Sequence, residues 1–179
     1  MAKLSILIFI LAIIIASIHA VPFNFNKLNN RDGDGKIITV VSEDEFCGFL
    51  PKTAGQDIGS SEDDAVTFCR NIPTANAPGA QQYPPGFILS AHFYKDDANG
   101  FVQVTGRLDN SIYVDPSDGG GQYDIKAPGG ASCFGFSRFV SLVEPNNGLY
   151  CIRCCNDKKN CPMGKSTDGC EAVIPGDYS

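Results

Sequence analysis

Eight cysteines constrain this 179-residue chain more than any other feature. They stand at Cys47, Cys69, Cys133, Cys151, Cys154, Cys155, Cys161 and Cys170, and what they do depends on compartment. Met1-Ala2-Lys3 leads into an apolar run from Leu4 to Ala16, then Ile18-His19-Ala20, whose small last residue suits signal peptidase. Residues 1–20 are therefore predicted to be a secretory signal peptide, which makes the protein secreted and extracellular. The run is too short for a membrane anchor, which needs about 18 apolar residues, and no basic flank follows it. In an oxidising compartment an even cysteine count forms a disulfide framework, here four bridges with roughly a hundred possible pairings. Cys47 is expected to pair locally with Cys69. The neighbours Cys154 and Cys155 are expected to take different partners, since a bridge between adjacent residues closes a strained ring. Cys151-x-x-Cys154-Cys155 with Cys161 and Cys170 has zinc-cluster spacing, but oxidation removes the thiolates first, so no metal or other cofactor is expected.

Residues 21–45 read as a flexible Gly/Asn-rich arm with an acidic end, and residues 46–179 as a single disulfide-stapled, β-rich domain with one or two short helices. Lys36 to Val41 is β-branched and a candidate first strand within the arm. Ser60 to Arg70 has a serine cap, carboxylates in its first turn and a terminal arginine, which predicts a short helix. Phe87 to Tyr94 alternates, with Phe87, Leu89, Ala91 and Phe93 on one side, and Phe101 to Gly106 returns as the partner strand of a hairpin. Ile112 to Val114 is a further short candidate. Phe139 to Val143, the turn Pro145-Asn146-Asn147-Gly148 and Leu149 to Arg153 predict a second hairpin. From Cys154 onward the chain is poor in apolar residues and must be held by covalent staples.

A formal charge of -6, with no basic cluster beyond Lys158-Lys159, repels phosphate backbones and anionic lipid. No nucleic-acid partner is expected, no membrane contact after signal cleavage, and the mature chain is expected to be a monomer. The chemistry-bearing candidates are few. Asn30-Arg31-Asp32-Gly33-Asp34-Gly35 copies the first half of a calcium loop, with Asp32 and Asp34 as ligands, but Val41 stands where a bidentate carboxylate should close the shell. His19 and His92 would form a copper pair only if cleavage followed Ile18, and Ala20 is the better site, so His92 remains the single mature histidine. No Gly-x-Ser-x-Gly elbow accompanies it. Asp115 to Gly130 is rich in Gly, Pro and Asp, and long enough for a functional surface. Within it Asp115, Asp118, Tyr123 and Asp124, together with His92, are the candidate binding residues. Carboxylate pairs for glycoside hydrolysis can be drawn from Glu62, Asp64, Asp109, Asp115, Asp118, Asp124 and Glu144, and the chain has no tryptophan to stack on a sugar.

One set of motifs is familiar. Phe46-Cys47-Gly48-Phe49-Leu50-Pro51, Ala91-His92-Phe93, Phe101-Val102-Gln103-Val104-Thr105-Gly106 and Asp118-Gly119-Gly120 resemble fungal secreted proteins labelled macrophage-activating-glycoprotein-like. The resemblance continues through Cys151-Ile152-Arg153-Cys154-Cys155, Cys161-Pro162, Gly169-Cys170 and Val173 to Tyr178, so it covers about residues 46–178. It implies a fungal extracellular protein of undefined biochemical activity, with no catalytic residues to carry over. The expectation is a non-enzymatic binding or surface-interaction domain, directed at cell-wall glycan or a host extracellular component. The alternative is a small polysaccharide-active enzyme using the acidic loop 115–124 and His92.

Overall fold

The computed structural model describes residues 36–72 and 74–179. The expected signal peptide, most of the arm, and Asp32 and Asp34 lie outside the described residues. The strands are β1 (Ile37–Val40), β2 (Phe46–Leu50), β3 (Val66–Cys69), β4 (Gln81–Gln82), β5 (His92–Asp96), β6 (Phe101–Arg107), β7 (Gly121–Tyr123), β8 (Ser132–Cys133), β9 (Arg138–Glu144) and β10 (Leu149–Cys155), followed by a short helix, α1 (Cys170–Val173). They form two five-stranded sheets, ordered β4-β3-β2-β1-β8 and β5-β6-β10-β9-β7. The β-rich, disulfide-stapled architecture expected from the sequence is present.

The two hairpins of the second sheet are the elements most legible in the sequence. β5 pairs antiparallel with β6, and β9 with β10 across a 3-10 turn at Pro145–Asn147. Side chains alternate across a strand, so each strand of this sheet has two working faces. On one face Val102, Val104, Tyr150, Ile152 and Tyr123 join the core shared with Ile38, Phe46 and Phe49 of the first sheet. Phe46 stacks on Tyr150 at 5.7 Å between ring centroids, and Phe49 meets Tyr123 at 5.6 Å. Each fully buried side chain of this kind stabilises the fold by about 1.5–3 kcal/mol.

The opposite face is covered by the chain's own tail. Val140, Leu142, Leu149, Cys151 and Cys155 cluster there with Cys161, Cys170, Val173 and Ile174. Bridges Cys151–Cys170 and Cys155–Cys161 fasten the tail to β10, whereas Cys133–Cys154 ties β10 to the first sheet. The alternation explains why Cys154 and Cys155 take different partners: they point to opposite sides of one strand. The remaining bridge, Cys47–Cys69, joins directly opposed residues of β2 and β3.

Polar side chains complete the fastening. Gln103 Nε2 donates to the Pro175 carbonyl at 3.0 Å, and Thr105 Oγ1 donates to that of Asp177 at 2.6 Å. Gln122 Nε2 donates to the Pro162 carbonyl at 2.9 Å, while its Oε1 accepts from the Lys165 amide at 2.7 Å. The tail approaches so closely at Gly176 that a Cβ there would lie 2.8 Å from Thr105 Oγ1.

Three expectations are corrected. Residues 66–69 of the expected helix 60–70 are β3, because pairing with β2 and the Cys47–Cys69 bridge outweigh the local capping signal; the residues before them form turns. The alternation over 87–94 breaks, since Phe87 is buried and Leu89 is 59% exposed, leaving a strand only from His92. Ile112 to Val114 is irregular, and Tyr113 adopts a left-handed φ of 69° while its hydroxyl donates to the Pro51 carbonyl. The candidate strand in the arm is real: Ile37–Val40 is an internal strand between β2 and β8.

Candidate functional site

The strand order separates the residues that the sequence suggested as one site. His92 lies on β5 and the 115–124 loop leads into β7, the two opposite edges of the second sheet. Four strand spacings of 4.7–4.9 Å put those edges roughly 19 Å apart. His92 instead faces the tail, with Nδ1 3.6 Å from Asp177 Oδ2 and Nε2 3.2 Å from the Ser179 carbonyl.

Within the loop, the carboxylates are occupied by local hydrogen bonds. Asp115 Oδ1 accepts from the Ser117 amide and hydroxyl, at 2.8 and 2.7 Å, and these bonds hold its pKa below the usual carboxylate value. Asp109 is held low in the same way by Ser111. Asp118 is a strut: Oδ2 accepts from the Ile58 amide and Oδ1 from the Gly120 amide, both at 2.8 Å. Gly120 has a φ of 90°, and a Cβ there would collide with the Val143 carbonyl, so the loop turns at the one residue type that fits. Asp124 accepts from the amides of Gly164 and Ile125, which ties the loop to the tail. Tyr123 corrects the expectation of a surface residue. It is 0% exposed, and burial raises its pKa well above the ordinary value.

Among the carboxylates drawn from the sequence, Glu62 is buried. Glu62, 8% exposed, is raised in pKa by burial, opposed by nearby Lys126 and reinforced by Asp124.

A different site assembles where the strand ends of the second sheet meet the tail. Arg107 ends β6, Leu149 begins β10 and Glu144 ends β9, and the pairing register places them in one row. With Asn147, Glu171 and Tyr178 they line a groove of about 420 Å³, within the roughly 300–1,000 Å³ of small-molecule sites. Leu149 lies between Arg107 and Glu144 in the row and is largely buried in the cluster beneath the tail. Glu144 is held rigidly, with Oε2 accepting from the Cys170 amide at 2.6 Å and Oε1 from Asn147 Nδ2 at 3.2 Å. The Tyr178 hydroxyl donates to the Ile174 carbonyl at 2.7 Å, and its pKa is raised by burial and then by Glu144 and Glu171. Among the described residues, neither the Arg107 guanidinium nor the Glu171 carboxylate has an ion pair or a side-chain hydrogen bond. Sequence reasoning singles out Glu144 but misses Arg107. The two are distant along the chain and become neighbours only through β10.

All eight cysteines are in disulfides, and no described group of three or more His, Cys, Asp or Glu side chains is placed to hold a metal ion. No helix among the described residues is long and apolar enough to cross a membrane. Comparison with protein-family models, curated proteins and solved structures finds no match for the chain.

Proposed function

We propose that the mature chain is a secreted, monomeric, non-catalytic binding domain whose groove holds a hydroxyl-rich group of a cell-wall glycan or host extracellular component. The observation that supports this reading is the groove itself. The Arg107 guanidinium and the held Glu144 carboxylate flank Leu149 in one row, and that guanidinium makes no ion pair or side-chain hydrogen bond among the described residues. The Arg107 guanidinium and the Glu171 carboxylate, unengaged and lining one concave surface, offer the polar contacts that a small polar ligand needs. A glycan array and pulldown with the mature protein test it. Binding should be lost in Arg107→Ala and retained in His92→Ala and Asp115→Asn. Retention in Arg107→Ala with loss in Asp115→Asn would move the site back to the loop.

Glu62 favours a second reading, the small polysaccharide-active enzyme. A buried carboxyl whose pKa is raised by desolvation is the chemistry of a general acid in glycoside hydrolysis. That reading requires the protein to release reducing ends from a polysaccharide, and the release must stop in Glu62→Gln.

A further inference from the structure

The chain contains two Asn-Gly pairs, Asn99-Gly100 and Asn147-Gly148. Asparagine before glycine is prone to deamidation, because glycine has no Cβ to keep its nitrogen from reaching the asparagine side chain. We infer that Asn99 is a deamidation site of the folded protein and that Asn147 is shielded from the same reaction. The Gly100 nitrogen forms a bond to Asn99 Cγ and gives up its proton. The bond from Cγ to the side-chain nitrogen breaks, and that nitrogen takes up a proton and leaves as ammonia, closing a five-membered imide. Water then opens the imide at either carbonyl, giving an aspartate or an isoaspartate with one new carboxylate.

The two sites are built alike, which isolates what differs. Both asparagines are exposed. Asn99 Nδ2 donates to Asp96 Oδ2 at 2.8 Å and Asn147 Nδ2 to Glu144 Oε1 at 3.2 Å, in each case a carboxylate three residues back. Both glycines are left-handed, with φ of 67° at Gly100 and 63° at Gly148. The difference lies in the nucleophile. Gly148 is buried, and its amide donates to the Pro145 carbonyl at 3.1 Å, so its proton is held inside the 3-10 turn away from water. Gly100 is half-buried at the tip of the β5–β6 hairpin, and its amide has no hydrogen bond among the described residues.

Conversion of Asn99 acts on the tail as well. Asn160 Nδ2 donates to the Asn99 carbonyl at 2.8 Å and the Asn156 amide to the Gly100 carbonyl at 3.1 Å, so the hairpin tip is an anchor of the tail. A carboxylate at position 99 replaces a donor to Asp96 by a like charge, and an isoaspartate lengthens the main chain by a methylene at that anchor.

Mass spectrometry of tryptic peptides from the mature chain, kept folded at mildly alkaline pH, tests this inference. Cleavage after Lys95, Arg107, Arg138 and Arg153 puts the two sites on separate peptides. In the folded protein the amide-to-acid mass change should accumulate at Asn99 about tenfold faster than at Asn147, the kinetic equivalent of the hydrogen bond that Gly148 must break. In the reduced chain in denaturant the two rates should converge, and Asn99→Gln should abolish the change in its peptide. Hydrogen exchange at residues 156–160 should rise in the converted protein. Equal rates in the folded protein, faster conversion of Asn147, no conversion of Asn99, or a difference that persists in denaturant overturns the inference. Unchanged exchange at residues 156–160 overturns the coupling to the tail.

Discussion

The two faces of the second sheet are held down by different physics. The inner face meets the first sheet through aliphatic and aromatic side chains. The outer face meets a tail poor in apolar residues, through a small cluster around Val173 and Ile174, two disulfides and side-chain hydrogen bonds from buried Gln103, Thr105 and Gln122. Hydrophobic burial is non-directional and tolerates many sequences of suitable volume. Hydrogen bonds from buried side chains to main-chain carbonyls set a defined path, which is how a segment of little hydrophobicity can contribute Glu171 and Tyr178 to a groove at a set place. The inner face therefore supplies stability, and the outer face positions the groove.

Truncating the inner face should have the largest effect. Ile152→Ala removes a side chain 1% exposed between the sheets, and should lower stability by about 2–5 kcal/mol without moving the tail. Denaturant unfolding measures the loss, and limited proteolysis of the folded fraction should still find the tail protected. Replacing Cys151 and Cys170 together by alanine should cost somewhat less, about 3 kcal/mol for a closed loop of this order. Its distinguishing sign is location: hydrogen exchange should rise in residues 162–179 before it rises in β6 or β10. If both regions open together, the tail belongs to the core and the distinction between faces fails.

Thr105→Val keeps the shape but leaves the Asp177 carbonyl without its donor, and should cost about 1–2 kcal/mol. Exchange at residues 175–179 should report it. The smallest effect comes from Glu62→Gln. Burial raises the Glu62 pKa above its ordinary 4.5, so the folded state holds the proton more tightly than the unfolded chain does. Glu62 therefore costs no stability below that ordinary value, and the cost grows as pH rises through the folded pKa. Glu62→Gln should be the more stable protein at neutral pH, and the two melting temperatures should converge below about pH 4.

Much of the second sheet is legible in the residues themselves. Phe101 to Gly106 and the pair around Pro145 carry both alternation and turn chemistry, so local sequence and tertiary pairing agree. Residues 60–70 mislead because Ser61, Glu62 and Asp63 mimic a helix start, while the deciding interaction, Cys47 with Cys69, is remote in sequence. The candidate site is less legible. The 115–124 loop looks functional from its composition, yet Asp118 and Asp124 hold backbone amides and Tyr123 is core. A carboxylate bonded to its own loop and one aimed at a ligand are the same letter in a sequence.

By itself, then, the sequence determined the material of the fold: β-strands with two faces, eight cysteines, and a tail too polar to pack without staples. It also determined that Cys154 and Cys155 take different partners, because a bridge between adjacent residues closes a strained ring. Only the tertiary structure decided which partners they take and that Arg107, Leu149 and Glu144 form one row. Alternation is a local property that each residue carries with it. Strand order and register depend on how the whole chain minimises exposed apolar surface and unpaired backbone, and no segment encodes that alone.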